Sequence, residues 1–184
     1  MQRANRSQRG LTIDLGQGMG LLHFYRSPGH TESARLGLLD RARARVSDRI
    51  SELRTETCFN VDADRPLDAR ERGILTWLLS ETFEPDGFGE NSFLLDGVAE
   101  ERLREGAYGV HLVETGPRMS FTTAWSTNAV SVCRAAGLDS IRRIERSHRY
   151  RVEAEGGLDP AQVEEFLRLV HDRMTECPYP ATLE

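Results

Sequence analysis

The apolar positions of this chain switch repeatedly between a period of two and a period of three to four, and the switches predict its elements. LLHFYR (21–26) alternates as a strand, and SPGH (27–30) is its turn. Thr31 then caps a helix whose apolar positions, Leu36, Leu39, Ala42, Val46 and Ile50, recur three or four apart. TETCFNVD (55–62) alternates again as a second strand. Asp68 followed by Glu71 is a capping-box signature for a helix running to about Leu79, with Ile74, Leu75 and Leu78 facing inward. EPDGFG (84–89) carries turn chemistry, and SFLL (92–95) reads as a short apolar strand.

The pattern then restarts. GVHLVET (109–115) predicts a strand and STNAVSVCRAAG (126–137) a helix, and Ile144, Arg146, His148, Tyr150 and Val152 fall on one side of a long strand. Asp159 caps a last helix, with Pro160 in its first turn and Val163, Phe166, Leu167, Val170 and Met174 as its stripe. Two strand-helix-strand-helix passes point to an α+β fold of two similar halves, with helices on one face of a sheet. Residues 1–20 show no period and read as a disordered N-terminal arm. The glycines of LGQGMG lack the preceding strand and following helix that a nucleotide-binding loop requires.

Composition narrows the classes. With 184 residues, 39% hydrophobic and 29% charged, the chain fits one soluble globular domain. No run approaches the ~18 apolar residues of a membrane span. A net charge of −5 argues against a nucleic-acid partner. The local clusters Arg41, Arg43, Arg45 and Arg142, Arg143, Arg146, Arg149, Arg151 read as solvated faces. Cys58, Cys133 and Cys177 are widely spaced and read as small buried hydrophobes in a reduced, cytoplasmic setting. No CxxC or HxxxH spacing supports a metal. Trp77 and Trp125 read as core residues, and His23 and His148 as satisfied core or rim histidines.

Candidate chemistry concentrates in GPRMSFTTAWSTNAVSVCRAAGL (116–138). Ser126, Thr127 or Asn128 can cap the helix, and Gly137 with Leu138 folded back on Cys133 suits a Schellman end. Arg118, Ser120, Thr122 and Thr123 are left over. Ahead of a helix N-terminus they suit a phosphate or carboxylate; alternatively they form a connection that satisfies its own backbone. No catalytic set is placed by spacing. In HDRMTEC (171–177), His171 and Asp172 do not face one another on a helix, and Arg173 with Glu176 reads as an i,i+3 surface pair.

Taken in order, LHFYRSPGH (22–30), TETCFNV (55–61), the 116–138 block, RIERSHRYR (143–151) and VHDRMTECPYP (170–180) resemble the N-terminal region of phosphoribosylformylglycinamidine synthases (FGAR amidotransferases) of the large single-chain form. The resemblance covers nearly everything from Leu21 to Pro180. Ser120 and Thr122 depart from the family's usual Asn and Ser. Family members typically begin just before LHFY, so Met19 is a candidate start.

The resemblance implies a PurS-like α+β domain over 21–180, built of two ferredoxin-like halves with helices packed on antiparallel sheet, and the start of a linker at 181–184. It implies that ATP, magnesium and glutamine serve synthase and glutaminase parts elsewhere in the enzyme, with no cofactor or catalytic residue expected here. Those parts are the implied partners. Arg118, Ser120, Thr122, Thr123, Ser126, Thr127 and Asn128 become a loop facing the substrate side. The chain is then a fragment, a truncated reading of a longer gene, or a free-standing subunit. An unrelated small-anion module built on Arg118 and the helix start is the remaining alternative.

Overall fold

The structure is a computed structural model that describes residues 21–80 and 85–179. The expected arm over 1–20, with LGQGMG and Met19, Glu84 of the EPDGFG turn, and the tail from Pro180 lie outside the described residues.

The first pass runs β1 (Leu22–Arg26), α1 (Glu32–Arg45), β2 (Ile50–Ala63), α2 (Ala69–Leu79), a 3-10 turn at Pro85–Gly87 and the two-residue β3 (Phe88–Gly89). A short helix, α3 (Glu100–Arg104), leads to the second pass: β4 (Val110–Pro117), α4 (Ala124–Ala135), β5 (Ile141–Ala154), α5 (Pro160–Val170) and β6 (Glu176–Pro178). All strand pairs are antiparallel, in the order β3-β1-β2-β5-β4-β6. Each pass therefore supplies three adjacent strands, and the passes meet along the β2–β5 pair. The α+β expectation is met.

Side-chain alternation decides what each face holds. Ile144, Tyr150 and Val152 of β5 share one face and pack into two apolar clusters. One lies under α2 and α4, with Leu75, Val130 and Cys133; the other lies under α1 and α5, with Leu38, Leu39, Ala42 and Phe166. Full burial of each leucine, isoleucine, valine or phenylalanine among them contributes about 1.5–3 kcal/mol. On the opposite face α3 and the segment before it cover only part of the sheet, where Leu94, Leu103, Val110 and Leu112 cluster.

Several boundaries differ from the sequence reading, each for a local reason. Ile50 opens β2 rather than closing the first helix, because the chain turns at Ser47 and Ile50 buries among Leu53 and Val152. The SFLL segment forms no strand; the carboxylate of Glu56 ties it down by accepting the amide of Phe93 at 2.8 Å. Trp77 is 75% exposed on α2, whose inward positions are filled by Leu75, Ile74 and Leu78. Among the arginines expected to be solvated, Arg149 is 1% exposed, because α3 closes over its face of the sheet. The capping boxes at Asp68–Glu71 and Asp159–Gln162 are both formed.

Candidate functional site

Two motifs far apart in sequence come together at one end of the sheet. β4 pairs with β6 through Gly116 with Cys177 and Pro117 with Glu176. Just beyond, the Arg118 amide donates to the Thr175 carbonyl at 3.0 Å, and its guanidinium donates to the Arg173 carbonyl at 2.7 Å. The segment 172–175 is a tight turn organised by Asp172. Its carboxylate accepts from the Met174 amide at 2.8 Å and the Thr175 hydroxyl at 3.1 Å, which hold its pKa below the usual range. Glu176 accepts the Asp172 amide at 2.8 Å, so the expected Arg173–Glu176 pair does not form. Met174 leaves the α5 stripe because the helix ends at Val170. Around the Arg118 tether three apolar side chains face solvent: Met119 at 53%, Phe121 at 40% and Met174 at 85% exposure.

The hydroxyl-rich stretch is divided by geometry. Thr123, not Ser126, Thr127 or Asn128, is the N-cap of α4: its hydroxyl oxygen accepts the Ser126 amide at 3.0 Å. The same hydroxyl donates to Glu145 at 2.7 Å, and the Thr123 amide donates to the other carboxylate oxygen at 3.0 Å. The amide end of α4 thus already faces an anion, supplied by β5. Ser126 is fully buried, its oxygen accepting the Ile144 amide at 3.4 Å, and Thr127 donates back to the Thr123 carbonyl at 3.2 Å. Arg143 pins the loop from below through the carbonyls of Met119 and Phe121. Ser120, Thr122 and Asn128 are exposed on the outside of this frame. At the far end, Gly137 takes a left-handed φ of 84° and Leu138 donates to the Cys133 carbonyl at 2.9 Å, the expected Schellman closure.

A second constellation escaped the sequence reading. On the face under α3, the Arg149 guanidinium lies 2.9 Å from Glu56, 2.7 Å from Glu100 and 3.4 Å from Glu114. Arg104 bridges Glu100 at 2.8 Å and Glu114 at 3.0 Å. Three carboxylates against two guanidiniums leave one negative charge over. Burial pushes the Glu56 carboxyl up despite Arg149, while Glu56, Glu114 and Glu100 outweigh burial and hold Arg149 firmly charged. The network continues through neutral groups. Ser147 donates to Glu114, Asn60 donates to Ser147 at 3.0 Å, and His23 meets Asn60 at 2.9 Å. Arg149 Nε and Nη2 meet Glu114 and Glu100 as ion pairs without hydrogen-bond geometry, and the rest of the network is hydrogen-bonded internally, so it acts as a polar core. Burial raises the neighbouring Cys58 thiol well above its ordinary pKa, which makes it a poor nucleophile. The available signal was a Glu in mid-strand of both TETCFNV and HLVET, where an apolar residue is usual.

Comparison with known proteins follows the same segments. Residues 56–183 match the family profile described as Formylglycinamide ribonucleotide amidotransferase N-terminal. The chain is 47% identical over 163 residues to a probable phosphoribosylformylglycinamidine synthase, chloroplastic/mitochondrial, of Arabidopsis thaliana, covering 89% of this chain and 11% of that protein. It is 39% identical over 168 residues to the phosphoribosylformylglycinamidine synthase of Dictyostelium discoideum, covering 90% of this chain and 12% of the other. The Homo sapiens phosphoribosylformylglycinamidine synthase is 36% identical over 170 residues, again 12% of its length. The chain thus spans about a ninth of the length of these relatives. It belongs to the formylglycinamide ribonucleotide amidotransferase N-terminal family.

Proposed function

We propose that this chain serves as the N-terminal assembly domain of a phosphoribosylformylglycinamidine synthase, acting in purine biosynthesis by docking onto the synthase and glutaminase parts of that enzyme. The observation that carries the proposal is the match to an N-terminal family over 56–183, together with alignment to only 11–12% of full-length synthases. In this reading, ATP, magnesium, glutamine and formylglycinamide ribonucleotide are handled by the remainder of the enzyme. The mirror-like strand order, three strands from each pass, supports the PurS-like description.

The surface best suited to docking is the joined loop and turn around Arg118, where Met119, Phe121 and Met174 present apolar area to solvent. Ser120, Thr122 and Asn128 border it as the groups free to face substrate, with Arg118, Thr123, Ser126 and Thr127 as their frame. A reducing compartment such as the cytosol suits three free thiols; the Arabidopsis relative is named as chloroplastic/mitochondrial.

Co-purification with the remaining domains of the synthase tests the reading. The wild-type chain is expected to be retained, and Phe121→Asp combined with Met174→Asp to be lost while staying folded. Incubated alone with formylglycinamide ribonucleotide, ATP and glutamine, the chain is expected to yield no amidine; product formation would overturn the assembly role.

A further inference from the structure

The helix-covered face of the sheet is not apolar throughout. Between the cluster under α2 and α4 and the cluster under α1 and α5, a polar row crosses four strands. Strand register sets Arg26 beside Thr57, Thr57 beside His148, and His148 beside Thr115. Arg146 lies two residues before His148 on the same face of β5. His30 leans in from the loop after β1, its ring centroid 5.2 Å from that of His148.

Three basic side chains of this row keep donors that no described residue engages. Arg146 is exposed, its guanidinium 4.3 Å from the centre of the Trp125 ring, and it forms no ion pair among the described residues. The Nδ1 of His30 is bonded to the Gly29 carbonyl at 2.8 Å, which leaves Nε2 for another partner. The Nδ1 of His148 is enclosed without a hydrogen-bond partner, which leaves Nε2 as the nitrogen this ring can offer a ligand. Burial first, and then His30, Arg146 and Arg26, push the His148 pKa down to about 4. No carboxylate is among the groups that act on that ring. Arg26 has a partner of its own. The carboxylate of Glu176, which acts on neighbouring Tyr150, is bonded by the Asp172 amide. His30 also lines a cavity of about 210 Å³ between α1 and α5, together with Ala34, Leu38, Arg41, Tyr150 and Leu169.

We propose that this gap is an oxyanion-binding site, in which Arg146, His148 and His30 hold a phosphate group and the cavity that His30 lines takes the organic part of a small phosphate monoester. A guanidinium fork and imidazole N–H groups match tetrahedral oxyanions in geometry and sign. The neutral His148 ring donates one N–H, and a bound anion offsets the cationic crowding that disfavours its charged form. Such a site is independent of docking within a larger synthase.

Calorimetry of the full chain near neutral pH, with inorganic phosphate and separately with glycerol 3-phosphate, tests it. Expected is a Kd of about 1 mM or tighter, weakened about tenfold in Arg146→Gln and in His148→Gln. Arg45→Gln, which removes a guanidinium elsewhere, is expected to bind as the wild type does. Proton NMR of the His148 ring should show its titration midpoint rising when phosphate is added. Absence of binding by either probe, or equal binding by wild type and both site variants with native circular dichroism, overturns the site. Equal affinity for the two probes overturns the part assigned to the cavity.

Discussion

Thr123 and Glu145 hold each other through two bonds, amide to one carboxylate oxygen at 3.0 Å and hydroxyl to the other at 2.7 Å. The same threonine oxygen caps α4. Thr123→Ala therefore removes a cap and a charge-assisted bond together, and is expected to cost about 1–2 kcal/mol. Asn128→Ala, on the exposed side of the same helix, should stay within about 0.5 kcal/mol of wild type. Urea midpoints at constant slope distinguish the two, and equal midpoints would show that the cap sits elsewhere.

Replacing Arg149 strands its carboxylates. Arg149→Met leaves Glu56, Glu100 and Glu114 crowded and under-compensated, and a loss of about 3–5 kcal/mol is expected. The loss should shrink as pH falls. Without the guanidinium the buried carboxyls have folded-state pKa values above their unfolded ones, so protonation on acidification favours the folded form. Stability curves of variant and wild type measured from neutral to mildly acidic pH should converge; parallel curves would contradict this account.

Glu71 gives the opposite sign. Bonded by Arg65 at 2.6 and 2.8 Å and by the Asp68 amide at 3.0 Å, its carboxyl is held down at about 2. Its stabilising contribution is present above the ordinary carboxylate pKa and is lost as pH falls toward about 2. Glu71→Gln should flatten that acid limb of the stability profile. An unchanged limb would mean that other carboxylates set it.

The two tryptophans should separate cleanly. Trp77, at 75% exposure, is expected to change stability by no more than about 0.5 kcal/mol when replaced by alanine. Trp125 packs 6.0 Å from the Phe59 ring and carries Arg146 on its face, so Trp125→Ala should cost about 2 kcal/mol. Thermal melts of both variants check the difference.

Much of this architecture was legible in the residues. Asp68–Glu71 and Asp159–Gln162 carry their helix starts in local chemistry, and Gly137 carries an end, so those boundaries needed no tertiary information. The start of α4 was misplaced because several hydroxyl residues in succession can each cap, and the choice of Thr123 is made by Glu145, 22 residues away. Of the seven residues singled out between 118 and 128, the structure gives Arg118, Thr123, Ser126 and Thr127 internal bonds and leaves three at the surface. The Arg149 network was hidden for a related reason. Charged residues in alternating strands read as solvent-facing until a second layer, here α3, covers them. The row through His148 depends wholly on register among four strands, which no local pattern encodes.

The β2–β5 seam also bears on how the chain reaches this state. Glu56 and Arg149, bonded across it, are 93 residues apart in sequence. The β1–β2 and β4–β5 pairs, by contrast, close over much shorter stretches of chain. Closing the longest loop costs the most entropy and slows the search. Each apolar cluster takes one helix from each pass, so the halves share their cores, and the seam is the strand pairing whose closure costs most. The buried charges at that seam then act as a register check: a slip of one residue in β2 against β5 would turn Glu56 away from Arg149 and strand both.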